Sequence, residues 1–139
     1  MLRLLLGYQR ASFARKLDGV DEGQASRSLV GSGTTLLWLA NHMADAERTW
    51  ILHRFAGGAP ADPNEHAATV VEAVARYRAT WTEVDGVVAR NDLDKVCPGF
   101  DDQPAMSLRW ILGHLLQETA RHAGHVDILR ELTDGTTGR

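Results

Sequence analysis

The stretch G-H-L-L-Q-E-T-A-R-H-A-G-H-V, residues 113–126, carries three imidazoles and one carboxylate at helical spacing. At about 100° per residue, His114, Glu118, His122 and His125 fall within an arc of roughly 80°. Glu118 and His122 stand one turn apart, so both side chains reach a single point beside the helix. Glu-x-x-x-His therefore offers two metal ligands from one helix, as other i, i+4 ligand pairs do. Ile111, Leu115, Leu129 and Leu132 lie within or beside the same arc, which predicts that it faces the interior rather than water.

One helix does not close a site. The best third ligand is His42, an imidazole on a largely apolar stripe with Trp38, Leu39, Met43 and Ala46. Neutral histidine and ionised carboxylate suit Zn²⁺, Ni²⁺ or Fe²⁺, and a His₂Glu set suits zinc. Three protein ligands leave coordination open for water or substrate, which is a catalytic arrangement rather than a closed structural one. The spacing also admits a plainer arrangement, with His42 a hydrogen-bonded core residue and Glu118 paired with Arg121 or Arg48 at the surface. His114 and His125 read as groups that hold Glu118 or a bound water rather than as ligands. His53 and His66 read as solvated, and Asp45, about one turn past His42, as a solvated or ion-paired carboxylate. Cys97 lies in a Pro/Gly loop without a neighbouring histidine, so an inert thiol is expected rather than a fourth ligand or nucleophile. Ser32-Gly33-Thr34-Thr35 lacks the Gly-Lys-Ser/Thr of a phosphate loop.

These residues need helices to position them, and four apolar segments at helical spacing are separated by Gly, Pro and Asp clusters. The first covers about 2–17, with Leu2, Leu5, Leu6, Gln9, Phe13 and Leu17 near one face; Asp18-Gly19 ends it, and 21–27 forms an extra turn. The second opens after Ser32-Gly33-Thr34, where Ser32 or Thr34 can cap it, and runs through His42 and Trp50 to about Phe55. The third spans about 64–90, with the stripe Val70, Val74, Tyr77, Trp81, Val84 and Val88. After a connection over 91–105, the fourth starts near Ser107 and stops at Gly135. Trp38, Trp50, Trp81 and Trp110 are expected in core and interface packing. No segment alternates cleanly as a strand. The expected fold is all-α, an antiparallel four-helix bundle forming a single domain over 1–139.

Composition narrows the function classes. The 139 residues are 44% hydrophobic and 24% charged, an ordinary globular balance. No apolar run approaches the roughly 18 residues of a membrane span, and the apolar start is interrupted at Tyr8-Gln9-Arg10 without a small-residue cleavage site. A cytoplasmic protein is expected. A single cysteine excludes an intrachain disulfide. With a net charge of −3, a pI of about 6.0 and scattered arginines, neither nucleic acid nor membrane is an expected partner.

The stretch L-R-W-I-L-G-H-L-L-Q-E-T-A-R-H-A-G-H-V-D-I-L-R-E-L-T-D-G resembles the last-helix signature of the DinB-like superfamily. S-G-T-T-L-L-W-L-A-N-H-M-A-D-A-E-R-T-W and R-K-L-D-G-V resemble the same branch, the one related to mycothiol-dependent maleylpyruvate isomerase. The resemblance covers nearly the whole chain. It implies an up-down-down-up bundle holding one metal through three residues, here His42, Glu118 and His122. Many DinB-like proteins use His-x-x-x-His in the last helix, whereas the mycothiol branch has Glu-x-x-x-His. His125 falls where relatives often carry Gln, outside the ligand set. Homodimers are implied, as is chemistry assisted by a low-molecular-weight thiol; DNA binding is not. The isomerase has an additional C-terminal domain, whereas this chain ends at Arg139, so isomerase activity itself is not expected.

The expected function is thus a divalent-metal protein acting as a mycothiol-type S-transferase on small electrophiles, the metal turning the thiol into its thiolate. His125 or His114 would orient a water or move a proton, and Arg121 or Arg109 would hold an anionic group. The alternative is a stress-related protein that binds metal or a small ligand without turnover.

Overall fold

A computed structural model describes residues 1–99 and 103–137. Helix α1 spans Leu2–Arg15, and α2 is a single turn, Glu22–Ala25, capped by the Asp21 carboxylate. Helix α3 covers Leu36–Glu47 and continues directly into a π-helical segment, Arg48–Phe55. A 3₁₀ turn at Pro63–Glu65 precedes α4, Val70–Ala89. Strands β1 (Val96–Cys97) and β2 (Met106–Ser107) pair antiparallel, and α5 runs from Leu108 to Asp134. Of the 91–105 connection, residues 100–102 lie outside those described.

The mainly helical expectation holds, with local corrections. No strand was expected, yet two residues on each side of the connection form a ladder. They are too short to carry an alternating pattern. The turn-back they make lets Leu108 and Arg109 donate their amides to Lys95 and Leu93, occupying donors that a helix start leaves without intrahelical partners. The third helix begins at Val70 rather than near 64, because Thr69 caps it and Asp62-Pro63 forms a separate turn. Thr35, not Ser32 or Thr34, caps α3 by accepting from the Trp38 amide. Ser107 does cap α5, and Gly135 ends it at φ 75°, a left-handed conformation that glycine adopts without strain. Trp38 and Trp110 are 46% and 50% exposed, so they are not core residues. Leu132 is 60% exposed, beside Arg27 and Leu29 of the loop preceding α3, so this end of the stripe does not face the core.

Two apolar clusters form the core. One contains Phe13 of α1, Leu39 and Met43 of α3, Tyr77 of α4 and Val126 of α5. The other contains Leu6, Ile51, Val84 and Leu115. On each long helix a buried polar residue stands between its members of the two clusters: Arg10, Glu47, Thr80 and Thr119. Arg10 is 3% exposed and donates to both oxygens of the fully buried Glu47 at 2.8 and 2.5 Å, and to Asp85 at 2.8 Å. Burial opposes its charge, but Glu47 and Asp85 outweigh burial and hold the guanidinium protonated. Burial pushes the Glu47 carboxyl upward, and Arg10 pulls it back.

Removing one member of a buried pair strands the other's charge, so Arg10→Met is expected to cost about 3–5 kcal/mol. The double variant Arg10→Met, Glu47→Leu should cost less than Arg10→Met alone. Urea denaturation of the three proteins checks this; equal losses in single and double variants would contradict it.

Candidate metal centre

The seam between α3 and α5 brings the three expected ligands together. One donor atom each from His42, Glu118 and His122 lies within 4.8 Å of the others. Helix α5 supplies Glu118 and His122 one turn apart, with His122 Nε2 3.4 Å from Glu118 Oε2. Helix α3 supplies His42, whose ring meets that of His122 edge-on at a centroid distance of 4.8 Å. His122 is buried, and the other two are partly buried.

Aromatic and imidazole neighbours lie against the two histidines. Trp38, one turn before His42, lies flat against its ring at 4.6 Å with 9° between the planes. Among the described residues no side chain or backbone group hydrogen-bonds to the His42 ring. His122 Nδ1 lies 3.2 Å from His125 Nδ1, so the pair shares one proton-bearing nitrogen while His122 Nε2 faces Glu118. Burial lowers the pKa of His42 against the pull of Glu118 and Asp45. It also lowers that of His122, reinforced by the nearby His42. Neutral imidazoles beside a carboxylate are the protonation states a divalent cation needs, so the donor set fits one.

The other candidates fall around this centre or away from it. His125 touches His122 as expected. His114 is outside the ligand cluster, stacked on Trp110 at 5.3 Å and against Trp50 at 4.5 Å; burial lowers its pKa, with Glu118 opposing. Arg121 is exposed, with Nη1 3.9 Å from Glu118 Oε1, so the surface pairing is present only as a long contact beside the cluster. Arg48 pairs with Glu83 instead. Arg109 is held by Asp94 at 2.9 Å at the start of α5, more than two turns from Glu118, and so does not reach the centre. Cys97 is buried in the core cluster with Leu6 and Ile51, a packed thiol.

His53 and His66 are not simply solvated. His53 Nδ1 meets the Gly58 carbonyl at 2.6 Å, and His66 Nε2 meets Asp45 at 2.5 Å, where Arg76 donates as well. Asp45 is therefore ion-paired. Trp38, Trp50 and Trp110 are the neighbours that sequence reasoning assigned to packing alone. The i, i+4 spacing of Trp38 with His42, and of Trp110 with His114, was the available signal.

The lowered histidine values have a definite sign. In the metal-free protein, the unfolded chain takes up protons below the ordinary value of 6.5 while His42, His114 and His122 resist them. Stability should fall as pH drops through 6.5 and level off only below the folded values. His42→Ala should flatten the slope of unfolding free energy between about pH 7 and 5. Denaturation of the metal-free proteins across that range measures it, and an unchanged slope would refute the assignment.

The mycothiol-S-transferase family model matches residues 1–135. Among solved structures, the fold is similar to the crystal structure of a DinB-like protein from Bacillus cereus ATCC 10987, with a TM-score of 0.81. The match covers 99% of this chain and 93% of that one at 16% identity, a likeness of fold alone. No curated protein matches the chain. The match from residue 1 to residue 135 spans all the helices and all three clustered donors, and the chain belongs to the mycothiol-S-transferase family.

Proposed function

We propose that this protein joins a low-molecular-weight thiol of the mycothiol type to small electrophiles, using one divalent metal ion, zinc by its donor set, held by His42, Glu118 and His122. The observation that carries the reading is the convergence of these three donors at a helix seam, in a chain of the mycothiol-S-transferase family. Nickel and iron share the donor preference. A divalent cation there supplies Lewis acidity that turns a thiol, with a pKa of roughly 8.5 when free, into its thiolate at neutral pH.

The chain's own residues do the rest. Trp38 fixes the plane of the His42 ring, and His125 fixes the tautomer of His122. His114, kept neutral at pH 7 by its lowered pKa, is the base placed one turn from Glu118 to take the thiol proton. The sulfur–carbon bond forms as the electrophile's leaving group departs with its electron pair, and the proton passes on to water.

The proposal extends to the rest of the molecule. The cluster holding Phe13, Leu39, Tyr77 and Val126 draws on the C-terminal halves of α1 and α5 and the N-terminal halves of α3 and α4. That sharing supports an up-down-down-up bundle as one domain. The exposed apolar residues Leu4, Leu5 and Tyr8 on α1, with Met1 just before it, support a homodimer. No helix among the described residues is long and apolar enough to cross a membrane, and thiol chemistry suits the reducing cytoplasm.

Elemental mass spectrometry on protein purified without a metal-affinity tag should find close to one metal per chain, lost in His42→Ala and His122→Ala. His125→Ala should keep the metal with about 10–100-fold lower affinity. Metal-loaded protein should consume an electrophile only when thiol is present, and metal-free protein should not. Wild-type affinity in His122→Ala would sink the ligand assignment; full metal loading without turnover across an electrophile panel would leave a binding protein.

A further inference from the structure

The α3–α5 seam continues beyond the metal centre at both ends. Toward the start of α3, an open cavity of about 280 Å³ is lined by Val30, Ser32, Thr34, His125, Ile128 and Leu129. His125 belongs to this lining and also meets His122, so the cavity and the ligand cluster share a wall. Its described lining contains no Lys, Arg, Asp or Glu, and the hydroxyls of Ser32 and Thr34 bond to each other at 3.0 Å. Arg121 lies beside Glu118 and is not part of the cavity.

We propose that this cavity seats the body of the electrophile, and that it selects neutral, apolar molecules of about the size of one aromatic ring over carboxylated ones. The proposal rests on the transferase reading for the word electrophile, but not for the binding itself. Size supports it: apolar cavities of roughly 150 Å³ already take up benzene, and drug-sized ligands need about 300–1,000 Å³. Charge supports it too. A carboxylate placed against Val30, Ile128 and Leu129 would lose hydration with no cation to replace it. Seated there, the electrophilic carbon can point past His125 toward the ligand cluster. The thiol sulfur then bonds to that carbon as the leaving group takes the electrons of its own bond.

The test compares nitrobenzene with benzoate, two planar molecules of nearly equal shape that differ in charge. Each is titrated into metal-free full-length protein and followed through the ¹³C-methyl resonances of Val30, Ile128 and Leu129. Nitrobenzene should move these methyls saturably, with benzoate about tenfold weaker or more, a ratio worth about 1.4 kcal/mol. Ile128→Lys, at an exposed position, should weaken nitrobenzene and strengthen benzoate. His42→Ala should leave nitrobenzene binding unchanged, which separates this proposal from the metal and thiol reading. In turnover, Ile128→Lys should raise KM for a neutral aryl electrophile without changing KM for the thiol. Unmoved methyls, equal binding of the two probes, or a second copy of the chain covering Val30 and Ile128 in sedimentation and NMR would each overturn it.

Discussion

The architecture depends on a buried polar layer across the middle of its core. Arg10, Glu47, Thr80 and Thr119 come one from each long helix, and all are nearly inaccessible to water. Arg10 and Glu47 are an ionisable pair, so the layer is tolerated only because Glu47 and Asp85 accept from the Arg10 guanidinium. Thr80 and Thr119 spend their hydroxyls on carbonyls one turn back in their own helices. Tyr77 lies beside this layer with its phenol kept neutral, first by burial and then by the charge of Glu47. A slide of α1, α3 or α4 would pull Arg10 from Glu47 or Asp85 while leaving apolar contacts broadly intact. This bridge therefore sets the axial register of those three helices more sharply than the leucines and valines around it.

That register is what aligns the candidate centre. Glu47 follows His42 by five residues on the same rod, and Thr119 is adjacent to Glu118. Arg10 ties α1 to Glu47, and Arg130 of α5 donates to the carbonyls of Lys16 and Asp18 at the end of α1, so both helices of the centre are fixed against α1. The centre lies at the edge of the core rather than inside it, with His122 buried and His42 and Glu118 partly exposed. Partial burial suits the proposed chemistry: burial favours the neutral imidazoles, and the exposed side leaves room for small molecules to arrive.

Immediately after Glu47 the helix widens into the π-helical segment Arg48–Phe55. Such segments are uncommon and recur near functional sites, where they turn side chains that a regular helix would direct elsewhere. Here the segment presents Trp50 to both Trp110 and His114, with Arg54 lying over the Trp50 ring at 4.3 Å. The aromatic wall and the apolar cavity thus flank the ligand cluster at opposite ends of one seam.

Much of this could be read from residue order, because helix periodicity is local. Glu118 and His122 had to share a face whatever the fold, since one turn separates them, and the caps at Ser107 and Gly135 follow from residue type. The Trp–His spacings are equally local, but they read as packing from sequence because exposure depends on which helices are neighbours. What no local pattern contains is pairing between segments: that Arg10 would find Glu47 and Asp85, that the loop at Val30 would line a cavity with Ile128, and that His42 would meet His122. His42 was identified from an imidazole on an apolar stripe and strengthened by family likeness, and either arrangement, core residue or ligand, satisfied its helix alone. Packing is what sets His42 beside the other two donors. It brought two helices, 76 residues apart at Glu118, close enough for their donors to share one point, and interhelical distance is a property of the whole core.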